Sequence, residues 1–143
     1  MAGSLLADYK LWEEQVKSAV TEILATDIAE EAESMLKVEA FNTVYGAYSP
    51  QFLSRRYGAG GIADVNNMTS TASGDTLTVI SNVGLQNLWG GNDGSNLAEI
   101  VESGAGAYHM PFPRHYHSAA EQRLQSEGTA ERLLESGLKS LGL

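Results

Sequence analysis

The chain has 143 residues, 43% hydrophobic and 19% charged, which suits one folded domain and is too short for two. It contains no cysteine, so disulfides and thiolate metal sites are excluded. The formal net charge is −9, and residues 1–39, with nine carboxylates and three lysines, supply −6 of it. A broad basic face for sequence-specific nucleic-acid binding is therefore not expected. Without a signal-peptide pattern or an apolar run of roughly 18 residues, we expect a protein made in the cytoplasm with no membrane partner.

Residues 4–48 are predicted to form a long helical region, because they contain no proline and only one glycine. Thr26-Asp27 followed by Glu30 has the pattern of a capping box, so two helices that meet near Thr26 and one continuous helix both remain open. Ser49-Pro50 ends the region. Apolar residues recur along it at three- and four-residue steps, beginning with Leu5, Tyr9, Trp12, Val16, Val20 and Ile23.

A small antiparallel sheet is predicted within residues 52–83. Residues 62–72 and 76–83 are rich in Thr, Val and Ile and flank Ser73-Gly74-Asp75, which predicts a hairpin over about 62–83. Residues 84–95 contain four glycines and are predicted to form a loop that Leu88 and Trp89 anchor.

The C-terminal part, about residues 96–141, is predicted to be helical. A short helix covers residues 97–102, and a further helix starts near Arg114 and runs toward Ser126. Thr129 is expected to cap a last helix through about Leu138. The fold class is therefore α+β, with residues 1–143 as a single domain in which a long N-terminal helical region packs on a small sheet.

Three histidines within nine residues, His109, His115 and His117, raise the question of a metal site. In a helix, positions 115 and 117 diverge by about 200°, so their side chains would not share a face. We favour a surface or interface role and expect no metal. No serine lies in a nucleophile elbow, and the paired glutamates fall on solvated helix faces. We therefore predict no catalytic residue, no cofactor and no enzymatic activity.

A series of short motifs follows the end of the helical region, from Val44-Tyr45 and Tyr48-Ser49-Pro50 through Arg55-Arg56 to Gly60-Gly61-Ile62-Ala63-Asp64. A Leu97–Gly104 helix and a proline-rich segment around Phe112 continue the series, which covers roughly residues 38–143 in order. The chain resembles the head-to-tail joining or tail-completion family of long-tailed bacteriophages, which includes tail components similar to minor tail protein Z. The residues that carry the resemblance are Val44-Tyr45, Tyr48-Ser49-Pro50, Phe52, Arg55-Arg56, Gly60-Gly61-Ile62-Ala63-Asp64 and Met110-Pro111-Phe112-Pro113-Arg114.

The resemblance implies a structural virion protein of the neck or tail. Such a protein closes as a hexameric ring through head-to-tail interfaces. Its partners would be further copies of itself, the tail tube, the tail terminator, and adaptor or portal-proximal proteins. Two glycine-rich loops and the proline-rich segment are expected to reach these partners. The interface residues predicted there are Arg55, Arg56, Gly60, Gly61, Asp64, Leu88, Trp89, Phe112 and Arg114.

Two other functions remain open at this point. A minor capsid or decoration protein would bind head shells and occur in many more copies per particle. A small metal-dependent hydrolase would use the three histidines with a carboxylate such as Asp64 or Glu99.

Overall fold

The computed structural model describes residues 2–45, 61–86, 92–96, 98, 101–102 and 115–143. Within them the chain forms helices and two small antiparallel sheets, so the predicted α+β class is confirmed. The helices are α1 (Ala2–Ile23), α2 (Ala29–Glu39), α3 (Tyr116–Ser126) and α4 (Thr129–Ser140). The strands are β1 (Met68–Ser73), β2 (Thr76–Ser81), β3 (Gly84–Gln86) and β4 (Asn92–Asn96).

The N-terminal helical region is continuous from residue 2 to residue 45. A π-helical turn, Leu24–Ile28, joins α1 to α2, and a second one, Ala40–Tyr45, follows α2. Thr26 Oγ1 donates a hydrogen bond to the Glu22 carbonyl at 2.8 Å. Thr26 therefore bonds back to the preceding turn and does not cap a new helix, so the continuous alternative is correct. Beyond the π-helical turn the helix meets different neighbours, because α1 packs on α4 whereas α2 packs mainly on α3.

The hairpin forms where the sequence predicts it, although its first strand is shorter. β1 and β2 pair with Met68 opposite Ser81 and Ser73 opposite Thr76. Gly74 and Asp75 form the two-residue turn. Gly74 has a φ of +60° and Asp75 does not have a positive φ, as a type II′ turn requires. Residues 62–67, predicted to be strand, instead contain the 3₁₀ turn Val65–Asn67, because the Asp64 side chain accepts a hydrogen bond from the Asn66 amide at 3.0 Å.

The prediction of a loop over residues 84–95 is wrong for residues 84–86 and 92–95, which form strands. Gly84 pairs with Asn96 and Gln86 with Asn92, which makes β3 and β4 an irregular antiparallel pair. Glycine and asparagine have low strand propensity, so composition favoured a loop, but ladder hydrogen bonds come from the backbone alone. Helical geometry follows at Ala98, Val101 and Glu102, within the predicted short helix.

The two C-terminal helices have boundaries close to the predicted ones. The first helical residue of α3 is Tyr116, whereas Arg114 lies outside the described residues. The predicted Thr129 cap is wrong: Thr129 is the first helical residue of α4 and only 7% exposed. Gly128 precedes it at a φ of +63°, a conformation that allows a sharp link between the two helices.

The main hydrophobic core lies between α2, α3 and the base of the hairpin. None of its members comes from α1. Ser70 Oγ also donates a hydrogen bond to Glu33, which ties the hairpin to α2. The buried residues of the cluster are Met35, Leu36, Ala40, Val44, Ile62, Ala63, Met68, Val83, Ala98, Val101, Tyr116 and Ala120.

Candidate assembly surface

The first turns of α1 extend beyond the packed body of the protein. Every residue from 4 to 12 is exposed, and we call this segment the arm. Leu5 is 70% exposed and Trp12 is 50% exposed, whereas Ile23, further along the same helix, is 5% exposed. The large apolar side chains left exposed on the arm are Leu5, Leu6, Tyr9, Leu11 and Trp12. The arm is therefore a candidate interaction surface.

Three of these side chains share one side of the helix. At about 100° per residue, Leu5, Tyr9 and Trp12 lie within roughly 60° of one another, and we call them the arm stripe. The Tyr9 and Trp12 rings are 6.0 Å apart between centroids and tilted by 40°. The same side of α1 carries Ile23, which is buried. The stripe is thus the exposed continuation of a face that the protein covers elsewhere.

The second half of α1 is fixed to the body at two points. A Cβ built on Gly137 of α4 would lie 2.7 Å from Ile23 Cδ1, so α1 and α4 approach each other more closely than an alanine allows. On another side, Thr21 Oγ1 donates a hydrogen bond to the Gly74 carbonyl in the hairpin turn at 2.6 Å. These contacts set the direction in which the arm leaves the body.

Polar pairs on α1 support the helix without covering the stripe. Lys17 Nζ lies 2.9 Å from Glu13 Oε1, an i, i+4 pair with the acid on the N-terminal side. The hydrogen bond to Glu13, helped by its charge, raises the pKa of Lys17 above its ordinary value. No described helix is long and apolar enough to cross a membrane. The arm is therefore a pre-formed amphipathic helix with an uncovered apolar side.

The structure describes two of the interface residues predicted from the sequence. Gly61 and Asp64 lie together in the turn before β1, where the Gly61 carbonyl accepts hydrogen bonds from the Asp64 amide at 3.2 Å and from Asn67 Nδ2 at 3.1 Å. The Asp64 carboxylate bonds to Asn66 within the same turn. Both residues thus shape the entry to the hairpin. The other predicted interface residues, Arg55, Arg56, Gly60, Leu88, Trp89, Phe112 and Arg114, lie outside the described residues.

The histidines His115 and His117 meet different partners at the start of α3. His117 Nε2 lies 3.0 Å from Ser81 Oγ at the end of β2, whereas His115 Nδ1 lies 3.7 Å from Glu102 on the surface. Burial lowers the pKa of His117, and the charge of Glu102 opposes this shift. Across the part of the chain that the structure describes, no three His, Asp or Glu side chains could hold a metal ion. His109 and Glu99 lie outside that part.

Glu102 has a structural role that the sequence did not reveal. Its carboxylate accepts hydrogen bonds from the His117 amide at 2.8 Å, the Ser118 amide at 3.2 Å and Ser118 Oγ at 2.8 Å. These amides belong to the first turn of α3, whose own N-terminal residue provides no side-chain cap. Glu102 therefore caps the N-terminus of α3. Local capping patterns in the sequence do not predict this cap, because Glu102 lies 15 residues before His117.

A cavity lies where the π-helical turn, the hairpin and α3 meet. It is a cleft of about 410 Å³, which we call the cleft, and it is open on one side. Its polar lining residues are His117, Ser118, Glu121 and Gln125. The aliphatic side chains come from Leu24, Ile28, Ala32, Leu36, Leu77, Val79, Ala120, Leu124 and Ala130. Because Leu36 and Ala120 also belong to the buried core cluster, the cleft is a gap at the edge of the core, whereas the arm is exposed.

Comparison with known proteins assigns the chain to a family. The YomN family matches residues 8–140, which include Tyr9 and Trp12 of the arm and reach the end of α4. No curated protein and no solved structure matches the chain. YomN is a phage-derived family. The chain belongs to the YomN family and is a phage-associated protein.

Proposed function

We propose that the chain is a structural protein of a tailed-phage particle that forms a ring at the neck and joins the tail to the head. The observation that carries this proposal is the arm, because it presents Tyr9 and Trp12 outside the core on a helix that the body holds in place. Aromatic side chains of this type dominate protein interfaces. Within the described residues, a helix with uncovered aromatic side chains supports a role in assembly.

Two further findings support a phage assembly protein. The YomN match places the chain among phage-associated proteins. The order of motifs from Val44 to Arg114 resembles tail-completion proteins, which act as hexameric rings between the tail tube or terminator and the adaptor or portal-proximal proteins. In this proposal the chain is not an enzyme, and its place is the virion.

The proposal is tested in a phage that lacks the gene for this chain. We expect filled heads and finished tails to accumulate separately, and purified wild-type protein added to the lysate to restore joined, infectious particles. Protein carrying Tyr9→Ser and Trp12→Ser should fail to restore them. Protein carrying Leu11→Ser, on the other side of the arm, is the matched control and should succeed.

Two outcomes would overturn the proposal. One is that heads and tails join normally without the protein. The other is that tails join but head shells lose stability, which would move the chain to the capsid or decoration class.

A further inference from the structure

We infer that the outer edge of β1 pairs with β1 of a second copy, antiparallel, with the Thr71 residues of the two copies opposite each other. The contact has two-fold symmetry, so it is separate from the head-to-tail contacts of the proposed ring and does not depend on them. A strand edge has a specific complement, because a row of N–H and C=O groups is satisfied by another extended strand.

The register of the hairpin shows which groups of β1 lie on its outer edge. The residues that flank the two-residue turn form a hydrogen-bonded pair, and such pairs alternate along an antiparallel ladder. The Asn82 amide donates to the Asn67 carbonyl at 2.8 Å, in phase with this alternation. The N–H and C=O groups of Ser70 and Ala72 therefore point away from β2. Among the described residues they have no backbone partner, because β1 pairs there with β2 alone.

This edge lacks the features that keep exposed strands apart. β1 and β2, which the structure describes throughout, contain no proline and no charged residue, and their pairing has no bulge. Prolines, charges and bulges are the usual protection of an exposed edge. Residues 65–92 carry a single charge, Asp75, in a chain whose net charge is −9. Two acidic copies approach most readily where neither is charged, which favours a second copy at this edge.

The alternation along β1 also selects the register of the pair. When Ser70 of each copy lies opposite Ala72 of the other, the two copies exchange four backbone hydrogen bonds. The Thr71 residues then meet on the two-fold axis, on the exposed face of the sheet. Thr–Thr pairs of this kind stabilise neighbouring strands. A register centred on Ser70 would instead bring together the two Glu33 carboxylates that the Ser70 hydroxyls bond.

The helices under the hairpin leave room for such a pair on the β1 side. The π-helical turn and α2 each contact both strands, so this helical region runs beneath the hairpin. Strands lie about 4.8 Å apart, which places the midlines of two joined hairpins about 10 Å apart. Packed helices are separated by about 8–10 Å. On the other side, α3 lines the cleft together with Leu77 and Val79 of β2, which leaves β1 as the open edge.

Disulfide trapping tests the pair, since the natural chain has no cysteine. Four hydrogen bonds along a six-residue strand bury less than the roughly 800 Å² per partner of a stable interface, so a covalent bond is needed to accumulate the pair. Directly opposed residues without backbone hydrogen bonds lie within disulfide range. In a glutathione redox buffer we expect Thr71→Cys to form at least tenfold more linked dimer than Thr78→Cys, its exposed neighbour on β2.

Two further measurements test the backbone edge and the register. Ala72→Pro removes an N–H that the β2 ladder does not use, so the hairpin should persist while the Thr71→Cys dimer falls to the level of the Thr78→Cys control. Ala72→Ser keeps the N–H and should keep the dimer, and circular dichroism checks that both proteins are folded. Thr69→Cys mixed with Ser73→Cys, which this register places opposite each other, should give mixed dimers without any change to the backbone groups.

Three results would overturn the inference. One is equal dimer from Thr71→Cys and Thr78→Cys, and another is a disulfide that persists in folded Ala72→Pro protein. The third is a mixture of Thr71→Cys and Thr78→Cys that links more than Thr71→Cys alone, because β1 would then pair with β2 of the next copy. Added salt should raise the yield of the Thr71→Cys dimer, since it screens the repulsion between two acidic copies. Absence of all these dimers would overturn the pairing and leave the proposed ring as it stands.

Discussion

At the scale of single residues, Gly137 decides how closely α1 and α4 pack. We expect Gly137→Ala to lower the free energy of unfolding by about 1 kcal/mol, because an overpacking cost of about 1–3 kcal/mol exceeds the gain of about 1 kcal/mol in helix propensity. The added Cβ would meet Ile23 Cδ1 at 2.7 Å and Cγ1 at 2.8 Å. Urea unfolding measures the change.

The control for Gly137→Ala is Ser136→Ala on the exposed side of the same helix, which should not destabilise the protein. Ile23→Val shortens the side chain that the new methyl group meets, so the double variant should lose less stability than the sum of the two single changes. A Gly137→Ala protein more stable than wild type would show that α1 and α4 are not in close contact.

Glu102 is the residue that we expect to contribute most to the start of α3. Glu102→Ala removes the acceptor of three hydrogen bonds from the first turn, so it should cost roughly 1–2 kcal/mol in thermal unfolding. The matched control is Glu121→Ala, which removes a surface carboxylate of α3 itself and should change stability little. Equal effects of the two changes would contradict the capping role.

His117 makes stability depend on pH in a defined direction. Burial holds the pKa of His117 below its ordinary 6.5, so the unfolded chain binds a proton that the folded chain resists. The contribution of His117 to the free energy of unfolding is complete above pH 6.5. It is lost as the pH falls through the lowered pKa of the folded state. The difference in unfolding free energy between wild type and His117→Gln should therefore change below pH 6.5 and stay constant above it. A constant difference down to pH 5 would contradict this role.

At the scale of elements, the arm is predicted to matter for association and not for folding. Tyr9→Ser with Trp12→Ser should leave the unfolding midpoint within a few degrees of wild type, because both side chains are already exposed. The same protein should lose self-association in concentration-dependent sedimentation. Ala19→Ser, at a buried position of the same helix, should show the opposite pattern. A large loss of stability in the arm variant would mean that the stripe is covered within its own chain.

The elements also show how far the sequence predicts this fold. The hairpin follows from Ser73-Gly74-Asp75 between β-branched runs, and the helices follow from their periodicity and their lack of proline. The β3–β4 pair was missed because backbone pairing leaves no signal in a Gly- and Asn-rich segment. The Glu102 cap was missed because its donors lie 15 and 16 residues away.

The sequence predicts the apolar face of α1 but not that part of this face is exposed. The spacing of Leu5, Tyr9 and Trp12 predicts an apolar face, but periodicity does not say what covers it, and we expected the helices to form the core. Exposure depends on which elements pack against each part of α1, a tertiary property. The interface residues inferred from the resemblance, Arg55 and Arg56 among them, stay predictions.

At the scale of the whole molecule, one acidic chain carries an exposed apolar arm beside a packed core. In the proposed ring, neighbouring copies would meet head to tail through unlike surfaces, and closure would leave no copy without a neighbour. Assembly on the tail end would follow from this geometry without any catalytic step.

The most direct test of this account is to locate the chain in purified virions by electron cryomicroscopy. The account predicts a ring at the junction of head and tail, with density for a helix of each subunit reaching the next subunit. Subunits spread over the head shell, or particles without the chain, would contradict it.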